Sequence, residues 1–203
     1  VTISATKGEQ TREAVLREAL AQASHVGLQG ITIGGLAEAL EMSKSGLYAH
    51  FRSKEQLQVD VLDFAGRVFI GRVLTPSLEQ PRGEPRLRFL VELWLGWDGY
   101  ADYALPGGCI FVTAAREFDD EPDGPVRDRV VSQQTGWLAS LARVVAGGVT
   151  EGHFRADVDP AQVAHDINGM MLGYHFAARL LRDRAAANRT RTAFERLLRD
   201  LRP

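Results

Sequence analysis

The chain has one cysteine, Cys109, and only three lysines, Lys7, Lys44 and Lys54, in 203 residues. A lone thiol excludes an intramolecular disulfide and suits a reducing compartment. No run approaches the roughly 18 uncharged apolar residues of a membrane span. The opening stretch, VTISATKGEQ, lacks the basic-then-apolar layout of a secretory signal and reads as a disordered lead-in. A cytoplasmic protein is expected. Catalytic signatures are missing as well: there is no G-x-S-x-G, H-E-x-x-H, P-loop or paired C-x-x-C. No catalytic residue and no cofactor is therefore expected. The acidic run EFDDEPDGP at 117–125 lacks EF-hand spacing and reads as a solvated loop, not a metal site. The net charge of −2 leaves any nucleic-acid-binding surface to be local.

What is present is helical periodicity, nearly from end to end. Val15, Leu16, Ala19, Leu20, Ala23 and Val26 form an apolar stripe, with Thr11 placed to cap its start and Gly27 its end. Thr32 is placed as the N-cap of a second helix that turns Leu36, Ala37 and Leu40 inward. After a tight turn at Glu41 and Met42, Ser43 caps a very short third helix reaching about His50. Ser53 to Gln56 has the S-x-x-Q form of a capping box and opens a long fourth helix. Leu57, Val61, Phe64 and Val68 line its inner face, and it ends near Pro76. PSLEQPRGEP at 76–85 breaks the organisation. Longer helices are then expected over 87–104, through Phe111 and Ala115, and over 125–150, 160–183 and 189–201. No alternating run suggests a strand. The fold class is all-α, with domains at 11–56 and 57–203 behind a lead-in of 1–10.

Residues 42–57, MSKSGLYAHFRSKEQL, hold two of the three lysines and no acidic residue between Met42 and Lys54. Two helices joined by a short turn, the second short and polar at its start, form the helix-turn-helix pattern. Leu47 and Phe51 anchor the second helix from behind. Ser43, Lys44 and Ser45 place donors at its N-terminus, where backbone N–H groups favour a phosphate or a base acceptor. Gly46 removes bulk on the approach to a groove. Tyr48, His50 and Lys54 are positioned for backbone phosphates, and Thr32 caps the supporting helix beside them.

From Thr11 to Leu57 the chain resembles, without a gap, the DNA-binding domain of the tetracycline-repressor (TetR) family. The matching residues are Thr11-Arg12, Val15-Leu16, Ala19, Gly27, Thr32-Ile33, Leu36-Ala37, Ser43, Leu47-Tyr48, His50-Phe51, Ser53-Lys54 and Leu57. The resemblance implies a C-terminal helical domain that dimerises and binds an inducer, double-stranded operator DNA as partner, and repression rather than activation. Two half-sites in a palindrome would supply the selectivity that one short helix lacks. A helical adaptor or small-molecule-binding protein without DNA affinity is the alternative. One residue departs from the family pattern: Glu41 stands in a turn where glycine is common, so a positive φ there would carry strain.

The second half is rich in large flat side chains. Trp94 and Trp97, with Tyr100 and Tyr103 beyond, share one helix; Phe111, Trp137, Met171 and Tyr174 follow on later ones. They are candidates for a ligand site or for plain core, with Asn168 and His175 available to orient a small apolar or aromatic inducer. On the helix from Pro160, Val163, Ile167, Met170, Tyr174, Ala177 and Leu181 form a stripe, with Gly169 and Gly173 beside it. Small residues four apart suit close packing against another helix. Val163, Ile167, Gly169, Met170, Gly173 and Ala177 are the candidate dimer interface.

Overall fold

The computed structural model describes residues 6–203, with the main chain alone at Tyr100. Among the described residues it consists of helices joined by loops, with no strand. The helices are α1 (Lys7–Gly30), α2 (Ile33–Ala39), α3 (Lys44–His50), α4 (Lys54–Phe69), α5 (Thr75–Leu78), α6 (Glu84–Leu95), α7 (Ile110–Glu117), α8 (Pro125–Thr150), α9 (Pro160–His175) and α10 (Ala186–Leu201). Three of them run into a widened π-type turn: α4 into Ile70–Leu74, α6 into Gly96–Tyr100, and α9 into Phe176–Leu180.

Two compact units divide the chain. The first comprises residues 1–68 and 105–131, the second residues 69–104 and 132–203. The expected boundary at residue 56 left 105–131 with the C-terminal part. Burial explains why they join the first unit. Ile110, Ala114, Phe118, Val126 and Val130 share one apolar core with Val15, Leu16, Ala19, Leu36, Leu47, Phe51, Leu57 and Val61. Each large apolar side chain so buried is worth about 1.5–3 kcal/mol.

Several expected boundaries move, each for a local reason. Thr6, not Thr11, caps α1: its hydroxyl accepts from Glu9 N while the Glu9 carboxylate accepts from Thr6 N at 2.7 Å, a complete capping box. Lys7–Gln10 are thus helical rather than a lead-in, and Val1–Ala5 lie outside the described residues. Thr11 instead donates its hydroxyl to Lys7 O at 2.9 Å. Pro76 does not end the fourth helix. The backbone has already widened, with Thr75 N bonded to Ile70 O, and helical structure continues to Leu78. The helix from α6 stops at Tyr100 rather than residue 104, and that from α9 at Leu180.

In the second unit, α6 and α10 are tied by ion pairs at their rims. Glu84 accepts from Arg88 Nε at 2.7 Å and Arg202 Nε at 2.9 Å, and Glu92 accepts from Arg191 Nε at 2.8 Å. The Arg202 hydrogen bonds, then Arg88, pull the Glu84 carboxyl down to about 2 against the opposing effect of its partial burial.

Candidate nucleic-acid interface and ligand site

The α2–α3 pair is built as its caps dictate. Thr32 accepts from Gly35 N at 3.0 Å and Ser43 from Gly46 N at 3.1 Å. Between them, Glu41 N bonds to Glu38 O at 3.2 Å and Met42 N to Ala37 O at 2.9 Å, the paired bonds of a Schellman turn. Such a turn needs a left-handed residue, and Glu41 has φ 53°. The glutamate thus adopts the left-handed conformation in which strain was expected. Glu41→Gly is expected to raise stability by up to about 1 kcal/mol, read as a higher denaturation midpoint at unchanged slope. An unchanged or lowered midpoint would mean that the turn carries no strain.

Leu47 and Phe51 are fully buried and hold α3 down, with the Arg12 guanidinium 5.3 Å from the Phe51 ring centroid. Ser43, Lys44, Ser45 and Tyr48 are exposed on the other side, and Gly46 and His50 are half-buried. Lys44 lays its stem over Gly34 at the start of α2, where a Cβ would approach its Cε to 3.4 Å. Gly46 also has a local reason: a Cβ there would crowd the Ser43 hydroxyl at 3.1 Å. Thr32 and Lys54 are exposed as well. All eight candidate DNA residues belong to the first unit and retain access to solvent.

What orients this pair is the turn before it. Gly27 breaks α1 with φ 78°. A Cβ there would collide with the Glu117 carboxylate, so glycine is required for conformation and for space. From α7, that carboxylate accepts from Leu28 N at 2.7 Å and Gln29 N at 3.3 Å. From α4, Gln58 Nε2 donates to Leu28 O at 2.8 Å and Lys54 Nζ to Gln29 O at 2.5 Å. Gln29 Nε2 reaches Glu121 Oε1 at 2.8 Å. The break is thus pinned from two helices. Lys54 therefore has an internal partner that the sequence did not reveal, although an ammonium has two further N–H donors for a phosphate. Ser53 accepts from Gln56 N at 3.0 Å, but Gln56 turns its amide to Asp60, so only half of the expected capping box forms.

In the second unit the expected aromatic residues converge, with one exception. Trp94, Trp97, Met171 and Tyr174 are buried, and Trp137, Asn168 and His175 are half-buried. Phe69 bridges Trp97 and Trp137, edge-on to each with centroids 5.3 Å apart. Trp94 meets Tyr174 at 6.1 Å. Trp137 Nε1 donates to Asn168 Oδ1 at 3.2 Å, which fixes the amide that was expected to face a ligand. The exception is Phe111, which packs at the edge of the first unit's core. His175 Nδ1 lies 2.8 Å from Asp98 Oδ1, and the Asp98 side chain has no exposed surface. Asp98 was missed by sequence reasoning. Its signal was a charge four residues after Trp94, on the helix's buried face.

The interface stripe on α9 splits in two. Val163 and Ile167 are buried within the unit, so they close its own core and do not face outward. Met170 and Ala177 are half-buried, and Gly169 and Gly173 are exposed, with nothing within 4 Å of an added Cβ. Leu172, Phe176 and Leu180 continue that exposed face and were not picked out by the stripe.

Comparison with known proteins now decides between regulator and adaptor. A family model described as bacterial regulatory proteins of the tetR family matches residues 15–61, and the tetracyclin repressor-like C-terminal domain matches residues 83–194. The chain belongs to the TetR family. It is a DNA-binding transcriptional regulator of a family whose homologues bind small-molecule ligands and act as dimers and whose members are generally not enzymes. The HTH-type transcriptional repressor NemR of Escherichia coli K12 is 24% identical over 172 residues, 85% of each chain. A TetR-family regulator from Cytophaga hutchinsonii shares the fold with TM-score 0.85 at 19% identity, over 98% of each chain. AibR, solved with isovaleryl coenzyme A and operator DNA, superposes with TM-score 0.66 at 21% identity, over 81% of this chain and 85% of its own. No helix among the described residues is long and apolar enough to cross a membrane.

Proposed function

We propose that this TetR-family regulator is a dimeric repressor that reads a palindromic operator through α3 and releases it on binding a small, mainly apolar ligand. The observation that carries the DNA reading is the exposed Ser43–Lys44–Ser45 start of a short helix anchored from behind by Leu47 and Phe51. Lys44 and Ser45 are the base readers; Thr32, Ser43, Tyr48, His50 and Lys54 touch the backbone, and Gly46 admits the groove. Selection of bound genomic fragments by the purified protein tests this directly, and recovery of no palindromic sequence would overturn it. Lys54→Ala is expected to lower the salt dependence of operator binding by about one counterion, about equally across sequences. An unchanged slope would leave that lysine solely as a clamp on Gln29.

The ligand site in this reading is the second unit's aromatic cluster, with Trp94, Trp97, Trp137, Met171 and Tyr174 as walls. Release requires the ligand to bind the arrangement that does not hold DNA more tightly than the one that does. The dimer face is the outer side of α9, where Gly169, Leu172, Gly173, Phe176 and Leu180 are exposed. A groove of about 470 Å³ runs beside it, lined in part by Gly169, Met170, Ala193 and Leu197. A Cβ at Gly173 meets nothing within 4 Å inside the unit, so Gly173→Leu is expected to weaken dimerisation and operator binding together while leaving helix content intact. A fully dimeric variant by sedimentation would place that glycine outside the interface.

A further inference from the structure

Most of the aromatic cluster has the make-up of a core, but one of its members does not fit a core. Asp98, with no exposed side-chain surface, sits in the widened turn Gly96–Tyr100, and its carboxylate meets His175 at 2.8 Å. His175 in turn closes α9 immediately before the widened turn Phe176–Leu180. The next residue pair repeats the contact. Gly99 leaves space for the Tyr174 hydroxyl, which would lie 2.3 Å from a Cβ there. Trp94, one helical turn before Asp98, meets the Tyr174 ring edge-on at 6.1 Å. Burial is the main force pushing the Tyr174 phenol upward, and the Asp98 charge adds to it.

Holding two helices together does not require a charge, because packed apolar residues of similar size do so at lower cost. Widened turns also recur at functional sites. A buried carboxylate beside electron-rich rings is chemically selective for one class of guest. Its charge neutralises a cation, and the ring faces attract the same charge through their quadrupoles. His175 partners the carboxylate with a charge that depends on protonation, unlike the fixed charge of an arginine, so an incoming cation can replace it.

We propose that the effector carries an organic ammonium group, received by Asp98 beside the Trp94–Tyr174 ring pair, with its apolar body on the remaining aromatic wall. This rests on the ligand site proposed above and adds the charge of the ligand to it. The chain's three tryptophans all lie in the cluster, so intrinsic emission reports the site. Phenyltrimethylammonium and its neutral carbon isostere tert-butylbenzene are titrated against the intact protein, with tryptophan emission and thermal shift as readouts. The cation is expected to bind at least about tenfold more tightly than the neutral probe. In Asp98→Asn that preference is expected to vanish while tert-butylbenzene binding persists. In His175→Gln, which removes the competing imidazole, it is expected to persist or grow. Equal binding of the two probes to the unmodified protein overturns the charge assignment and leaves the ligand site standing, whether or not Asp98→Asn folds. Binding of neither probe overturns both.

Discussion

Adding one methyl group at Gly107 is expected to lower the melting temperature by about 6–12 °C, corresponding to roughly 3 kcal/mol. The reason is backbone against backbone. An alanine Cβ at this position would lie 1.8 Å from Ser24 O and 2.5 Å from His25 N, on the inner face of α1. Neither atom is the movable end of a side chain, so the segment leading into α7 must lift away. Lifting it also breaks the Gly107 N bond to Ser24 Oγ at 2.9 Å and draws Glu117 from the turn that orients α2. Operator affinity is therefore expected to fall with stability. The same one-carbon change at Gly147, within α8, meets nothing within 4 Å and is expected to stabilise by up to about 1 kcal/mol. Calorimetry of both variants checks the pair, and a Gly107→Ala protein melting with the parent would refute the close approach.

Trp97→Ala is expected to cost about 3–5 kcal/mol even in the absence of any ligand. Trp97 is fully buried, and its ring is one of the two that Phe69 packs against edge-on. Loss of induction in this variant would therefore say nothing about ligand contact, because the wall itself collapses. Denaturant melts decide the matter: a variant as stable as the parent would show that the indole lines open space and not a packed core. Conservative changes around Asp98 probe the ligand better, since they keep volume.

Most helix starts with a local cap were legible. Thr32, Ser43, Pro125 and Pro160 all stand where expected, because a cap or an N-terminal proline acts within one turn. The Thr6–Glu9 capping box was written in the same code, but the apolar stripe drew the boundary to Thr11. Anchors of the reader, Leu47 and Phe51, were legible from their spacing, and the left-handed turn at Glu41 from the glycine that the family commonly has there. What stayed hidden depends on distant partners. Asp98 is matched by His175, 77 residues on, and Glu117 serves a turn 89 residues earlier. No local pattern encodes such pairs. Val163 and Ile167 misled for a related reason: one apolar stripe marks a face, without saying whether the neighbour belongs to the same chain or another.

The interrupted make-up of the first unit bears on how such regulators can be recombined. A chimera that cuts the chain after α4 would carry the recognition helix but leave behind Ile110, Ala114, Phe118, Val126 and Val130, which complete its core. It would also lose Glu117, the acceptor for the turn at Leu28. Grafting a new DNA specificity onto this protein therefore calls for exchanging the inner face of α7 along with residues 6–68, or for changing only the solvent side of α3 and leaving the seam untouched.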